Sequence, residues 1–159
     1  MNQHEFKNTL ITAIRTNEDL ETWSSANYGR GVKVFVGVDE DKIPGENDCP
    51  YVELIVPGKH TGPLTDEKQY QFGVIVAIYD DSKVNHADEM VEEYAGINRV
   101  EEFRSMIQGL IVESLPGDAE VGELLVENEA VGQFPFFQSL MQLIVNETHI
   151  CGIGADPYE

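Results

Sequence analysis

Lysine and arginine are scarce in this chain, and they stop early. There are ten in 159 residues and none after Arg104, against 29 aspartates and glutamates, for a formal charge of −19 and a pI ≈ 4.3. Casual affinity for nucleic acid or an anionic membrane is thereby excluded, because both need clustered cations. Cysteine is nearly absent: Cys49 and Cys151 lie far apart, in no CxxC or Cys/His spacing. That argues against a disulfide framework and for synthesis in a reducing cytoplasm. The four histidines, His4, His60, His86 and His149, are scattered, so a zinc site would have to be assembled wholly by folding. Long apolar runs are missing too. The longest uncharged stretch, Ala130 to Asn146, contains Gly132, Pro135, Ser139 and three glutamines and falls short of a membrane span. The opening Met1-Asn2-Gln3-His4-Glu5-Phe6-Lys7 has no apolar core, so no signal peptide is expected.

What is present is an ordinary globular composition, 42% hydrophobic with 14 glycines. A chain of this length can bury roughly 68–70% of its unfolded surface, enough for a core without metals or disulfides. One domain over residues 1–150 is expected, followed by a mobile Gly/Pro-punctuated tail, 151–159. The last 55 residues hold nine acids and no lysine or arginine. This third of the chain cannot neutralise itself; it must face water, a basic partner, or a space where repulsion is useful.

Periodicity outlines the elements. Phe6, Leu10, Ala13 and Ile14 make an apolar stripe on a helix over Glu5–Asn17. A polar link containing Trp23 ends at Tyr28-Gly29-Arg30-Gly31. Val32–Val38 alternates as a strand, and an acidic loop runs from Asp39 to Pro50. Tyr51–Val56 is a second strand; Lys59–Asp66 reads as a hairpin tip. Tyr70–Tyr79 is the strongest strand. Its second face (Gln71, Gly73, Ile75, Ala77, Tyr79) is also rather apolar, which places it centrally or covers it on both sides. Asp80–Gly96 is an acidic connection with room for a short helix around Asp88–Tyr94. Asn98 and Glu101 resemble a capping box starting a helix over Arg99–Ser114, ended by Pro116-Gly117. Glu120–Glu129 and Phe137–Glu147 complete the chain as strands. The expected fold is α+β: a mainly antiparallel sheet of about five strands, with two helices packed on one face.

No catalytic or cofactor motif stands out. Asp39-Glu40-Asp41 and Asp80-Asp81 lack the alternating oxygens of a calcium loop. There is no GxSxG, and Cys49 has no histidine near it in sequence. Gly29-Arg30-Gly31 and Gly152-Ile153-Gly154 lack the strand-to-helix setting of a phosphate loop. No enzyme is expected, and no cofactor or metal. The remaining candidates are surfaces. Phe134-Pro135-Phe136-Phe137 places neighbouring aromatics at the start of the last strand, where consecutive residues face opposite ways, so one of Phe136 and Phe137 packs on a helix or on another subunit.

In its order of elements the chain resembles the tail-terminator (tail-completion) proteins of long-tailed bacteriophages and related tail-derived particles. The similarity runs nearly end to end: the opening helix Phe6–Ile14, the Trp-containing link, and a strand with an acidic loop closing on Cys49-Pro50-Tyr51-Val52-Glu53-Leu54. It continues through the hairpin ending Tyr70-Gln71-Phe72-Gly73-Val74-Ile75-Val76 and the helix bearing Val100, Phe103, Ile107 and Leu110. It closes on the strand entered through Phe134-Pro135-Phe136-Phe137 and running Leu140 to Val145. The Asp80–Gly96 connection is longer and more acidic than that pattern needs.

The resemblance implies a homo-oligomeric ring, a hexamer, at the head-proximal end of the virion tail. Such a ring caps the tail tube, stops its polymerisation and offers a joining surface to the head-tail connector protein. DNA passes through it without sequence-specific binding, and no membrane is involved. Sixfold repetition of −19 would repel phosphate from an acidic channel, whereas a basic bore would hold it. The nearest alternative to this family reading is a head-side neck or connector protein of a phage, also ring-forming, and the acidic C-terminal third allows a DNA-mimic inhibitor. Loops 39–50, 59–66 and 80–96 are the expected contact regions, because loops carry recognition. The candidate partner or subunit contacts are Lys59, His60, Asp66, Asp80, Asp81, Glu92, Glu93, Phe134, Phe136 and Tyr158.

Overall fold

The computed structural model describes residues 3–37, 39–61, 67–115, 119–128 and 134–148. The order is α1 (Gln3–Thr16), α2 (Glu18–Tyr28), β1 (Lys33–Val36), a short 3-10 turn (Glu46–Asp48), β2 (Tyr51–Thr61) and β3 (Glu67–Tyr79). There follow β4 (Lys83–Val84), β5 (Glu93–Tyr94), α3 (Ala95–Ser114), β6 (Ala119–Asn128) and β7 (Phe136–Thr148). The fold class is α+β. The main sheet runs β1-β2-β3-β7-β6, and β4 and β5 form a separate ribbon.

Three helices are present among the described residues, not two. The expected polar link around Trp23 is α2. Asn17 caps it, its side-chain oxygen accepting from the Leu20 amide at 2.8 Å, and three acids occupy its first turn. Gly29, at φ +66°, ends it. Trp23 stacks on Phe103 of α3 with ring centroids 4.9 Å apart. Apolar spacing concealed α2, since only Leu20, Trp23 and Ser24 are buried along it. The cap and the acid-rich first turn were its legible signals.

Two further boundaries differ from expectation. No helix forms at Asp88–Tyr94, where Glu93 and Tyr94 instead pair with Val84 and Lys83. The helix α3 starts at Ala95, so Asn98 lies inside it rather than at its cap. The sheet is also mixed: β1 runs parallel to β2, Val34 opposite Val52, whereas β2, β3, β7 and β6 are antiparallel neighbours. Parallel pairing needs a crossover, and the segment 37–50 supplies one with no more helix among its described residues than the 3-10 turn Glu46–Asp48.

One face of the sheet carries the core. Val52 faces Val76, Val74 faces Met141, and Ile78 faces Phe137 in adjacent strands. These side chains meet Phe6, Leu10 and Ile14 of α1 and Val100, Phe103 and Ile107 of α3. Each such fully buried side chain contributes about 1.5–3 kcal/mol relative to exposure. Helix and sheet come very close at Gly96, where a Cβ would lie 2.1 Å from Phe137. Only glycine lets α3 come this near.

Candidate functional site

The strands that build the core present their alternate residues on the other face. Along β3 these are Gln71, Gly73, Ile75, Ala77 and Tyr79, beside Tyr51, Glu53 and Ile55 of β2 and Phe136, Gln138 and Leu140 of β7. The helices pack on the first face, and among the described residues only the 46–50 segment closes one end of the second. There Cys49, Tyr51 and Ala77 are buried together, with Phe35, Tyr79 and Phe136 against them. Gln138 donates to the Tyr51 hydroxyl at 3.1 Å, and Phe35 meets the Tyr51 ring edge-on at 5.4 Å. Cys49 is fully buried, and that burial pushes its thiol up to about 12, which disfavours the reactive thiolate at neutral pH.

Among its described side chains this face has two charged groups. Lys33 lies at the rim, over the Phe35 ring and bound to Asp48 at 2.5 Å. Glu53 lies within the face, in register with Phe35 and Ile75, and is only 7% exposed. Among the described residues its carboxyl has no hydrogen bond or ion pair, and burial raises its pKa above the usual carboxylate value. The apolar second face of β3 was the sequence signal for this surface; Glu53 itself gave none.

The acidic connection after β3 is held down firmly. Asp80 is 4% exposed; its carboxylate accepts from Arg99 at 2.6 Å, the Ser82 amide at 2.9 Å and the Ser82 hydroxyl at 2.5 Å. Its amide donates to the Pro135 carbonyl at 2.8 Å. Glu92 pairs with Lys83, which holds the carboxyl below its ordinary range. Glu93 is shared between His86 at 2.6 Å and Asn98 at 3.1 Å. Asp81 is exposed, as is Met90 at the tip, at 91%.

The expected contact residues therefore do not converge on one site. Asp80, Glu92 and Glu93 are bound within the chain, while Asp81 faces solvent. Phe134 is 42% exposed and its ring lies tilted against Tyr94 with centroids 4.5 Å apart; Phe136 is half-buried beside Tyr51. Phe137 enters the core, so the two neighbours do face opposite ways. Lys59 and His60 lie in the far half of β2, paired with Tyr70 and Gln69. Asp66, Tyr158 and the tail 151–159 lie outside the described residues.

Among the described residues, no three His, Cys, Asp or Glu side chains gather where they could hold a metal ion. No described helix is long and apolar enough to cross a membrane. Compared with known proteins, the chain matches no family model and no curated sequence.

Proposed function

We propose that the chain is the subunit of a ring that terminates the tail tube of a long-tailed bacteriophage or of a related tail-derived particle. Six copies cap the finished tube at its head-proximal end, stop its growth and meet the connector on the other side. DNA passes through the ring, and the accumulated acid keeps phosphate from adhering. The role is structural and needs neither catalysis nor cofactor.

The observation that supports self-association best is the pair of sheet edges left open among the described residues. Beyond Leu54, β1 no longer covers β2, and the stretch Gly58–Thr61 pairs only with β3 among the described residues. On the far side, among the described residues, β6 pairs only with β7 along Ala119–Asn128. Unpaired edges template pairing with another chain, and joining two different edges of identical subunits is a heterologous contact. Such contacts close into a ring when the rotation permits. The charges agree: the β2 stretch includes Lys59 and His60, whereas β6 includes Glu120, Glu123 and Glu127.

The test is solution mass by light scattering behind a sizing column, at low and high salt, followed by addition of uncapped tail tubes. A hexamer promoted by salt is expected, because screening weakens repulsion between chains of −19. A chain that stays monomeric at every salt, and that leaves tube growth unchanged, would overturn the reading.

A further inference from the structure

Among its described side chains the helix-free sheet face carries only Lys33 and Glu53 as charged groups, while Glu123 and Glu127 of β6 stand in register with Ile144 and Leu140 at its edge. Aromatic and aliphatic side chains alternate there with glutamines, the composition of an interface core rather than of open surface. Glu53 is the exception. It sits in register between Phe35 and Ile75, 7% exposed, without a hydrogen bond or ion pair among the described residues. A carboxylate withdrawn from water is stabilised by a cation that meets it, and none of the described side chains supplies one there.

A second copy is a poor source of that cation. Arg15, Arg30, Lys33, Lys83, Arg99 and Arg104 are each tied to a carbonyl or carboxylate of their own chain, Lys7 is half-buried on α1 at the opposite face, and the side chains of Lys59 and Lys68 lie outside the described residues. Lys42 is exposed, but it follows Asp39, Glu40 and Asp41, whose carboxylates would crowd Glu53 on docking. Each copy also brings a further −19. Charge complementarity therefore selects a different and more basic protein.

We propose that the sheet face around Glu53 is a docking surface for another protein that presents a lysine or arginine ringed by apolar side chains. The bound cation completes the lone carboxylate, and Phe35, Ile75 and Leu140 receive the apolar surround. Ring closure as inferred above uses the edges of the sheet, so the two contacts do not compete, and the docking surface stands on the face alone.

The test is an NMR titration of the isotope-labelled full chain with hexylammonium and hexylguanidinium, each compared with 1-hexanol. The cations are expected to shift the Glu53 carboxyl and the amides of Phe35, Ile75 and Leu140, binding about tenfold more tightly than the alcohol. Glu53→Gln, which keeps the shape, should reduce them to the alcohol's affinity. Equal binding of cation and alcohol in the native chain, or undiminished cation binding in Glu53→Gln, overturns the proposal. Dilution of the free protein gives the second arm. Concentration-dependent shifts at Phe35, Ile75 and Leu140 would assign the face to a second copy and overturn the choice of partner. Shifts confined to β2 beyond Gly58 and to β6 report ring contacts instead, and their absence counts against the ring alone.

Discussion

Alanine placed at two glycines of α3 should have opposite effects. At Gly96 the new Cβ would stand 2.1 Å from Phe137 Cε2, 2.3 Å from Cδ2 and 2.8 Å from Cζ. Carbon atoms attract best near ~3.5–4.0 Å, so ring or helix must retreat by about 1.5 Å. The ring has little freedom: it is 1% exposed, and Phe134 meets it edge-on at 6.4 Å. Overpacking of this kind costs about 1–3 kcal/mol, and the severity of the overlap puts Gly96→Ala near 3. At Gly109 a Cβ meets nothing within 4 Å. There the substitution only removes backbone freedom from the unfolded chain and should gain up to ~1 kcal/mol. Urea titrations of both variants should show midpoints moving in opposite directions at constant m. The corresponding melting shifts are about 6–12 °C down and 2–4 °C up. Phe137→Leu in the Gly96→Ala background should recover part of the loss. A Gly96→Ala variant within ~0.5 kcal/mol of wild type, the size of an ordinary surface change, would refute the close approach of α3 to β7.

Other consequences can be checked on the same material. Glu53 has its folded-state pKa raised by burial, so the fold binds its proton more tightly than the unfolded chain does. Its contribution to stability is therefore lost as pH rises through the carboxylate range. Glu53→Gln should be more stable than wild type at pH 7 and lose that advantage toward pH 4; equal stability at both would contradict the burial. Asp80→Ala strands a partly buried Arg99 and leaves Ser82 without its acceptor, costing about 2–4 kcal/mol, less than a fully buried pair because Arg99 is 33% exposed. Chemical denaturation checks this, with Asp80→Asn expected to lie between the two. In a Cys151→Ser background, Cys49 should react with a disulfide reagent at least tenfold faster in urea than in the fold, since its thiol is fully buried and raised to about 12.

The elements legible beforehand were those whose apolar period stood out over many residues. In α1 the spacing Phe6, Leu10, Ile14 is the buried stripe itself, and in β3 the alternation Phe72, Val74, Val76, Ile78 is the core face. Where the period was short, local chemistry misled. Asn98 and Glu101 imitate a cap, yet α3 begins three residues before Asn98 because β5 delivers the chain directly at Ala95. The acids of the 80–94 connection looked equally available for contact. Ionic partners distant in sequence, such as Arg99 nineteen residues from Asp80, decide which of them stay free.

By itself the sequence determined the class of the fold, the core-facing side of α1, α3 and β3 and the charge that any partner must answer. Those properties follow from residue type and spacing along one segment. Only the tertiary structure decided that β1 lies parallel to β2, that the helices cover one sheet face, and that Glu53 is buried on the other without a partner among the described residues. The reason is physical: strand register, the choice of covered face and the desolvation of a carboxylate depend on neighbours that the chain brings together only on folding.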